Sequence, residues 1–438
     1  MMRSMFSGVS GLKVHQTRMD VIGNNIANVN TVGYKSQRVT FSDVFSQTLQ
    51  GASSASEDTG RGGLNPMQVG LGVNVSSIDM LMTQGAAQRT DNPFDLMING
   101  DGFIVVGDAE GTYFTRAGAL RQDDEGNLII SNGMKVQGWP SVYDDTTNQY
   151  VISQQEVQPI NLADPTIKSS TPTMTTKTQL AGNLCNTDTG AYTTQMSFYD
   201  SVGNAYKLQL SFERVAKAGT DPVEYEPNQW TVKPGTTISD AAGNEISVPG
   251  ISVTPDSLTF TSNGTLNTTD KNLKISFGGG TGTATGTTTL STGSVISDLD
   301  VDITGLTQYA TKSDIDPKTL NGNTAGTLTG YSIGADGIIT ASYDNGDKRP
   351  IAQVVVAEFD NPAGLEKVGD NLYSATTNSG DFDGIGKAGV FNTGVLEMSN
   401  VDLSSEFTDM IITQRGFQAN SRIISVSDEM LQELTNLK

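Results

Sequence analysis

The sequence predicts a multidomain protein, mainly β through its middle, with an α-helix at each terminus and the two helices paired. Three observations carry this. Met5, Leu12, Met19 and Ile26 near the start, and Leu403, Met410, Phe417, Ile424 and Leu431 near the end, recur every seven positions. That apolar spacing is the mark of a coiled-coil seam. The chain is 36% hydrophobic and only 17% charged, with 48 glycines, which favours strands and turns over a helical enzyme. Finally, its middle alternates apolar and polar residues around Gly- and Asn-rich turns. At 438 residues it is too long for one core, so roughly two to four domains are expected.

The first segment, from Ser4 to about Val29, is helical by periodicity, with Met2, Val9, Ile22 and Val29 flanking the seam. Gly8, Gly11 and Gly23 each cost about 1 kcal/mol against alanine in a helix interior. This helix is therefore expected to be disordered in the monomer and to order only when packed, its glycines letting a neighbouring helix approach. Asn24, Asn25, Asn28 and Asn30 then crowd together, and asparagines end helices and shape turns. Gly33 before Tyr34 fits a kink. Residues 1–30 and 400–438 form the expected helix pair.

Residues 31–70 are expected to be a flexible connector, with GASSASEDTGRGG at its centre. Residues 71–142 begin a first β domain. Phe103–Val106 is an apolar run between glycine turns and suits a buried strand, with Tyr113–Thr115 and Asn127–Ile130 as further strands. The carboxylates at Asp123–Glu125 suit a solvated turn, since no oxygen-ligand loop of the EF-hand kind is present.

Residues 143–306 are expected to be an inserted outer β domain. Met196–Asp200 and Tyr206–Phe212 flank Ser201–Asn204 as a hairpin, and the Gly/Thr stretch from Gly278 to Gly293 is a loop. Asp298, Asp300 and Asp302 alternate with Leu299, Val301 and Ile303, an acidic face over an apolar one. Residues 307–379 return to the first β domain, where Ile351–Ala357 is the most apolar run. Residues 380–399 form a second flexible connector. Ser399 and Asp402 resemble a capping box before a final helix that widens its apolar face with Phe407, Ile411, Leu434 and Leu437. At ~1.5 Å per residue that helix runs roughly 50 Å.

Net charge is −21, which opposes a nucleic-acid partner, because phosphate binding needs a basic surface. One cysteine, Cys185, and one histidine, His15, allow neither an internal disulfide nor an ordinary zinc site. No run approaches the ~20 apolar residues of a membrane span. The start lacks the apolar run of a secretory signal, so a cytosolic protein, or one exported without a cleaved signal, is expected. His15 sits on the helix flank, where packing is the better reading than a catalytic triad. No cofactor, metal or phosphate loop is expected, and Cys185 reads as a buried, inert thiol.

Three stretches resemble the rod and hook proteins of the bacterial flagellum. The first is Asn25-Ile-Ala-Asn-Val-Asn-Thr-Val-Gly-Tyr-Lys35, with Asn25, Ala27, Asn28, Thr31, Gly33 and Tyr34 carrying the match. The second is Phe94-Asp-Leu-Met-Ile-Asn-Gly-Asp-Gly-Phe103 with Tyr113-Phe-Thr-Arg-Ala-Gly118. In the third, Gly394 to Leu403, with Asn400 and Asp402, continues into Glu406–Ile411, Gln414, Arg415 and Asn420. Phe198–Asn204, Leu328–Ile333 and Val354–Tyr373 are similar to the hook branch of that family.

The resemblance implies a subunit that self-assembles into a curved, flexible tube transmitting torque from rod to filament. Its terminal helices would lie innermost and its β domains outside. It implies partners in the rod, hook-cap and hook-filament junction proteins, and export through the flagellar type III apparatus, with no membrane insertion. A distal-rod subunit is the nearer alternative, and a secreted surface β-protein or adhesin the more remote one. The segment around Cys185 also looks similar to hook proteins of spirochaetes whose subunits are joined covalently from cysteine to lysine. Lys168 and Lys177 are the nearby lysines.

Overall fold

A computed structural model of the chain describes residues 2–54, 62–108, 111–144, 146, 149–217, 219, 224–248, 250–267, 271–278, 287–289 and 294–436. The centre of the Gly/Ser stretch, most of the Gly/Thr stretch, Leu437 and the side chain of Leu434 lie outside the described residues. The chain divides into two compact units. One comprises Met1–Asp164, Tyr331–Thr340 and Arg349–Lys438, and the other Pro165–Gly330 with Ala341–Lys348.

The first unit is built on Phe103–Gly107, whose five residues are all buried. This strand pairs antiparallel with Thr112–Thr115, Lys135–Asp144 and Lys348–Ala357. Leu372–Ser374 extends the sheet beside Thr112–Thr115, and Glu366–Gly369 pairs with Leu372–Ser374 in turn. Continuous apolar runs such as Ile351–Ala357 occur where both strand faces are covered. Phe103, Phe114, Trp139 and Tyr373 fill one side of the core, and the Trp139 Nε1–H donates to the Ile385 carbonyl at 2.9 Å.

Two helices complete this unit, α1 (Met2–Ala27) and α2 (Leu403–Asn436). The first helix is continuous and packs against the second, the pairing expected of the two termini. Gly8 and Gly11 sit where α2 comes closest, whereas Gly23 faces open space. Asp402 caps α2, accepting from the Ser404 N–H at 2.9 Å. Ser399 is not part of a capping box; its hydroxyl accepts from Val401 N–H instead.

Parts of both connectors form strands. Gln37–Asp43 pairs with Val73–Met80, and Ser46–Gln50 with Met67–Gly70. On the return, Phe391–Thr393 pairs with Leu96–Ile98 and Val395–Glu397 with Ala87–Arg89. The partners of Phe391–Thr393 and Val395–Glu397 lie about 300 residues away, which no local pattern reveals.

The second unit is a two-sheet sandwich. One sheet runs Ser252–Thr254, Asn272–Ser276, Leu299–Tyr309, Lys177–Cys185 and Asp314–Leu320 in that order. The other runs Tyr192–Tyr199, Ala205–Ala216, Tyr225–Asp240 and Glu245–Ser247, with Ser257–Thr259 also on Tyr225–Asp240. Both inner faces share one core containing Phe198, Phe212, Trp230, Leu299, Val301 and Ile303. The expected turn is built by Asp200, whose carboxylate accepts from the N–H groups of Val202 and Asn204. This unit reaches Gly330, past the expected boundary at residue 306, because Leu299–Tyr309 and Asp314–Leu320 both flank Lys177–Cys185.

Candidate functional site

The two helices run antiparallel. A β-carbon on Gly8 would lie 3.4 Å from Ile424, one on Gly11 2.6 Å from the Asn420 amide, and one on Gly416 2.7 Å from the His15 ring. Farther along, Arg18 pairs with Asp409 at 3.2 Å, and Asn25 donates to Glu406 at 3.0 Å. The contact line is therefore mostly small and polar on α1, and on α2 it includes Ile424. Met5, Leu12, Met19 and Ile26 are only half-buried, one position away from the Gly11, Arg18 and Asn25 line. On α2, Met410, Ile424 and Leu431 are half-buried, while Leu403 and Phe417 are exposed. Its most sheltered positions are Thr413 and Ser427, whose hydroxyls donate to backbone carbonyls one turn earlier.

Beyond α1 the asparagine-rich stretch is folded back and tied to the returning chain. The Asn28 side-chain amide donates to the Asn24 carbonyl at 2.9 Å, and the Thr31 hydroxyl donates to the Asn28 side chain at 3.1 Å. Gly33 has φ +70°, and a β-carbon there would strike the Arg116–Ala117 backbone at 2.7 Å, so no other residue fits. Its N–H donates to the Glu397 carbonyl at 2.8 Å. Tyr34 is buried, its hydroxyl donating to Asn25 at 3.2 Å, and burial followed by the Glu406 charge raises its pKa. Asn25 also holds Gln37 through both backbone groups, at 2.8 and 3.0 Å.

Glu397 anchors the joint. Its carboxylate accepts from the Lys35 ammonium at 2.6 Å and the Gly85 N–H at 2.9 Å, and the Arg116 guanidinium stands 3.6 Å away. All three charged side chains are at most 2% exposed. Burial lowers the pKa of Lys35 and Arg116 against the pull of Glu397. Three segments far apart in sequence thus meet on one carboxylate. Asn400 adds a second tie, accepting from Ser36 N–H at 2.8 Å and donating to the Leu81 carbonyl at 2.8 Å.

Of the signature residues, Asn25, Asn28, Thr31, Gly33, Tyr34 and Asn400 meet at this joint, and Asp402 caps the helix leaving it. Asn420 lies in the helix seam, whereas Ala27, Gln414 and Arg415 are exposed. Lys35, Arg116, Glu397 and Glu406 were not singled out from sequence. Each lies inside a family-like stretch, but no local pattern marks an ion pair between residues so far apart.

Cys185 is buried at the end of its strand, with Sγ 3.1 Å from the Thr187 hydroxyl and its N–H donating to Ser313 at 2.9 Å. Thr187 lowers the thiol pKa. Lys168 and Lys177 are exposed. Lys177 starts the strand that Cys185 ends, roughly 26 Å away at ~3.3 Å per residue. Within one chain that lysine cannot reach the thiol.

Four families match parts of the chain. They are Flagella basal body rod protein at residues 5–35, Flagellar hook protein FlgE/F/G D1 domain at 97–169, Flagellar basal body protein FlaE D2 domain at 161–323, and Flagellar basal body rod FlgEFG protein C-terminal at 392–437. The flagellar hook proteins FlgE of Borreliella burgdorferi and Treponema pallidum are each 38% identical to it, over 100% of both chains. The flagellar basal-body rod protein FlgG of Bacillus subtilis is 29% identical, also over 100% of both.

Proposed function

The chain belongs to the flagellar hook protein family and is a structural subunit of the bacterial flagellar hook, not an enzyme; on that premise we propose that it builds a curved, flexible tube that carries torque from rod to filament. In this reading α1 and α2 form a coiled-coil-like block lining the inner tube, and the two β units stand outside it. Export through the flagellar type III apparatus, and contacts with rod, hook-cap and junction proteins, belong to the same reading.

The observation that carries it is a set of apolar side chains that the helix pair leaves uncovered. Phe6 and Val9 on α1, and Ile411, Phe417, Val426 and Met430 on α2, are exposed within a single chain. Exposed large apolar side chains in such number on two packed helices point to an interaction site. A tube of one protein needs contacts that repeat without closing, and these side chains can supply them between copies.

Electron microscopy of the purified protein after salt-induced polymerisation tests this. Curved tubes are expected, whereas straight rods would favour the distal-rod reading that the FlgG likeness keeps in view. Phe417→Glu should abolish tubes while the circular-dichroism signature of the β units stays intact. Normal tubes from that variant would remove the helix face from the assembly contact.

A further inference from the structure

The single histidine of the chain, His15, lies in the seam between the two termini. Its imidazole is so close to Gly416 that a β-carbon there would meet Cε1 at 2.7 Å and Nε2 at 2.8 Å. Phe41 meets the ring edge-on, with centroids 6.2 Å apart. Nδ1 is buried and has no hydrogen-bond partner among the described residues. Three elements thus close on one titratable ring: α1, α2 and the strand Gln37–Asp43.

We propose that His15 makes the fastening of α1 to α2 pH-sensitive, so that proton uptake by this one ring loosens the helix pair and weakens assembly in acid.

The charged groups around the ring do not favour an imidazolium. On α1, Arg18 brings a like charge, its guanidinium 5.8 Å from the same Phe41 ring, while Lys13 and Asp20 are exposed. On α2, Asp409 pairs with Arg18 at 3.2 Å, Glu406 accepts from Asn25 at 3.0 Å, and Arg415 adds an exposed cation beside Gly416. On the strands, Asp79 stands 3.7 Å from Arg38, and Asp43 is exposed at its strand end. A protonated ring would therefore carry a buried Nδ1–H without an acceptor, next to a cation.

Burial, and then Arg18, lowers the pKa of His15 below its ordinary 6.5. The undocked ring takes up its proton at higher pH than the docked one, so the undocked state holds more protons as pH falls. Docking is fully stable above about pH 7 and weakens as pH drops through 6.5. Glu406 acts in the opposite sense: burial first, then Asp409 and Asp402, raise its pKa above 4.5. Measurements at about pH 5.5 and above keep its contribution small.

The inference rests on the inner-helix reading above, and the test separates the two. Urea unfolding of the monomeric chain, followed by helical circular dichroism, is run from about pH 7.5 to about pH 5.5. For one linked proton the opening constant can rise at most about tenfold per pH unit. A rise below pH 6.5, smaller than that limit, is expected for the wild type, and a flat profile for His15→Gln and His15→Phe. Equal slopes in all three proteins overturn the proposal. Proton NMR of the lone imidazole gives a readout without any variant. Its titration midpoint should lie below 6.5 in the folded chain and return to the ordinary value in urea; a folded midpoint at or above 6.5 also overturns it. Wild-type tubes should form in lower yield at the lower pH than at the higher, while His15→Gln tubes form equally at both. Wild-type tubes in equal yield at both pH values would refute the assembly half. No tubes at any pH would count against the hook reading instead.

Discussion

Glu397 shows how one side chain can hold distant parts of a chain in register. Two cations and a backbone N–H converge on its carboxylate with almost no solvent access. A buried pair adds little net stability, because desolvation offsets attraction, but removing one partner leaves an unpaired buried charge. Glu397→Gln keeps the shape and strands Lys35 and Arg116, so it should destabilise the first unit by about 3–5 kcal/mol. Urea unfolding read from Trp139 in a Trp230→Phe background measures this. The Glu358–Lys387 pair is equally short at 2.6 Å but exposed. Glu358→Gln should leave the midpoint unchanged, and comparable losses at the two sites would mean that burial is not what matters. Hydropathy cannot find Glu397, since three charges from three segments carry no shared local pattern. The resemblance to flagellar proteins did enclose all three, without saying why.

At the scale of the elements, the helix pair was legible in its existence and not in its contact face. The seven-residue apolar lines at both ends mark two long helices, and both are present. Yet the residues closest to the partner are Gly8, Gly11, His15 and Arg18 on α1, and Gly416, Asn420 and the heptad residue Ile424 on α2. Small and polar residues are invisible to a search for apolar period, so the seam was placed one position off on α1. Strands with one covered face were easier. Leu299, Val301 and Ile303 alternate with aspartates because successive strand residues point to opposite sides. The glycines give a graded test of the contact face. A β-carbon on Gly23 meets nothing within 4 Å, so Gly23→Ala should raise helix stability by about 0.5–1 kcal/mol. Gly416→Ala pushes on the His15 ring and should lower it by roughly 1–3 kcal/mol despite the better propensity. Thermal melts at the helical dichroism band decide; stabilisation by both substitutions would show that the helices do not approach as closely as Gly416 and His15 indicate.

For the whole molecule, the insertion of one unit into the other decides what can be removed. The sequence drew the outer domain at 143–306, and on that reading deleting Thr171 to Ile303 is expected to leave assembly largely possible while altering curvature or stiffness. That cut would take away Lys177–Cys185 and leave Asp314–Leu320 without its partner strand, exposing the buried Leu306 and Ile315. The boundary was missed because the strand Leu299–Tyr309 runs across it, and Asp314–Leu320 finds its partner far back in the sequence at Lys177–Cys185. Tyr331 supplies a better cut. Its hydroxyl donates to the Leu162 carbonyl at 2.6 Å, so the chain leaves and re-enters the first unit within a tyrosine's length. A short Gly/Ser linker replacing 165–330 can join those ends at small entropic cost. Ala341 and Tyr343, buried in the second unit, then need polar replacements to avoid a new apolar patch. The protein shortened this way should stay soluble and form tubes of altered curvature or stiffness under the electron microscope, whereas removing 171–303 should give aggregate. If the better-placed deletion also forms no tubes, the second unit takes part in holding the tube together, and the helices alone do not.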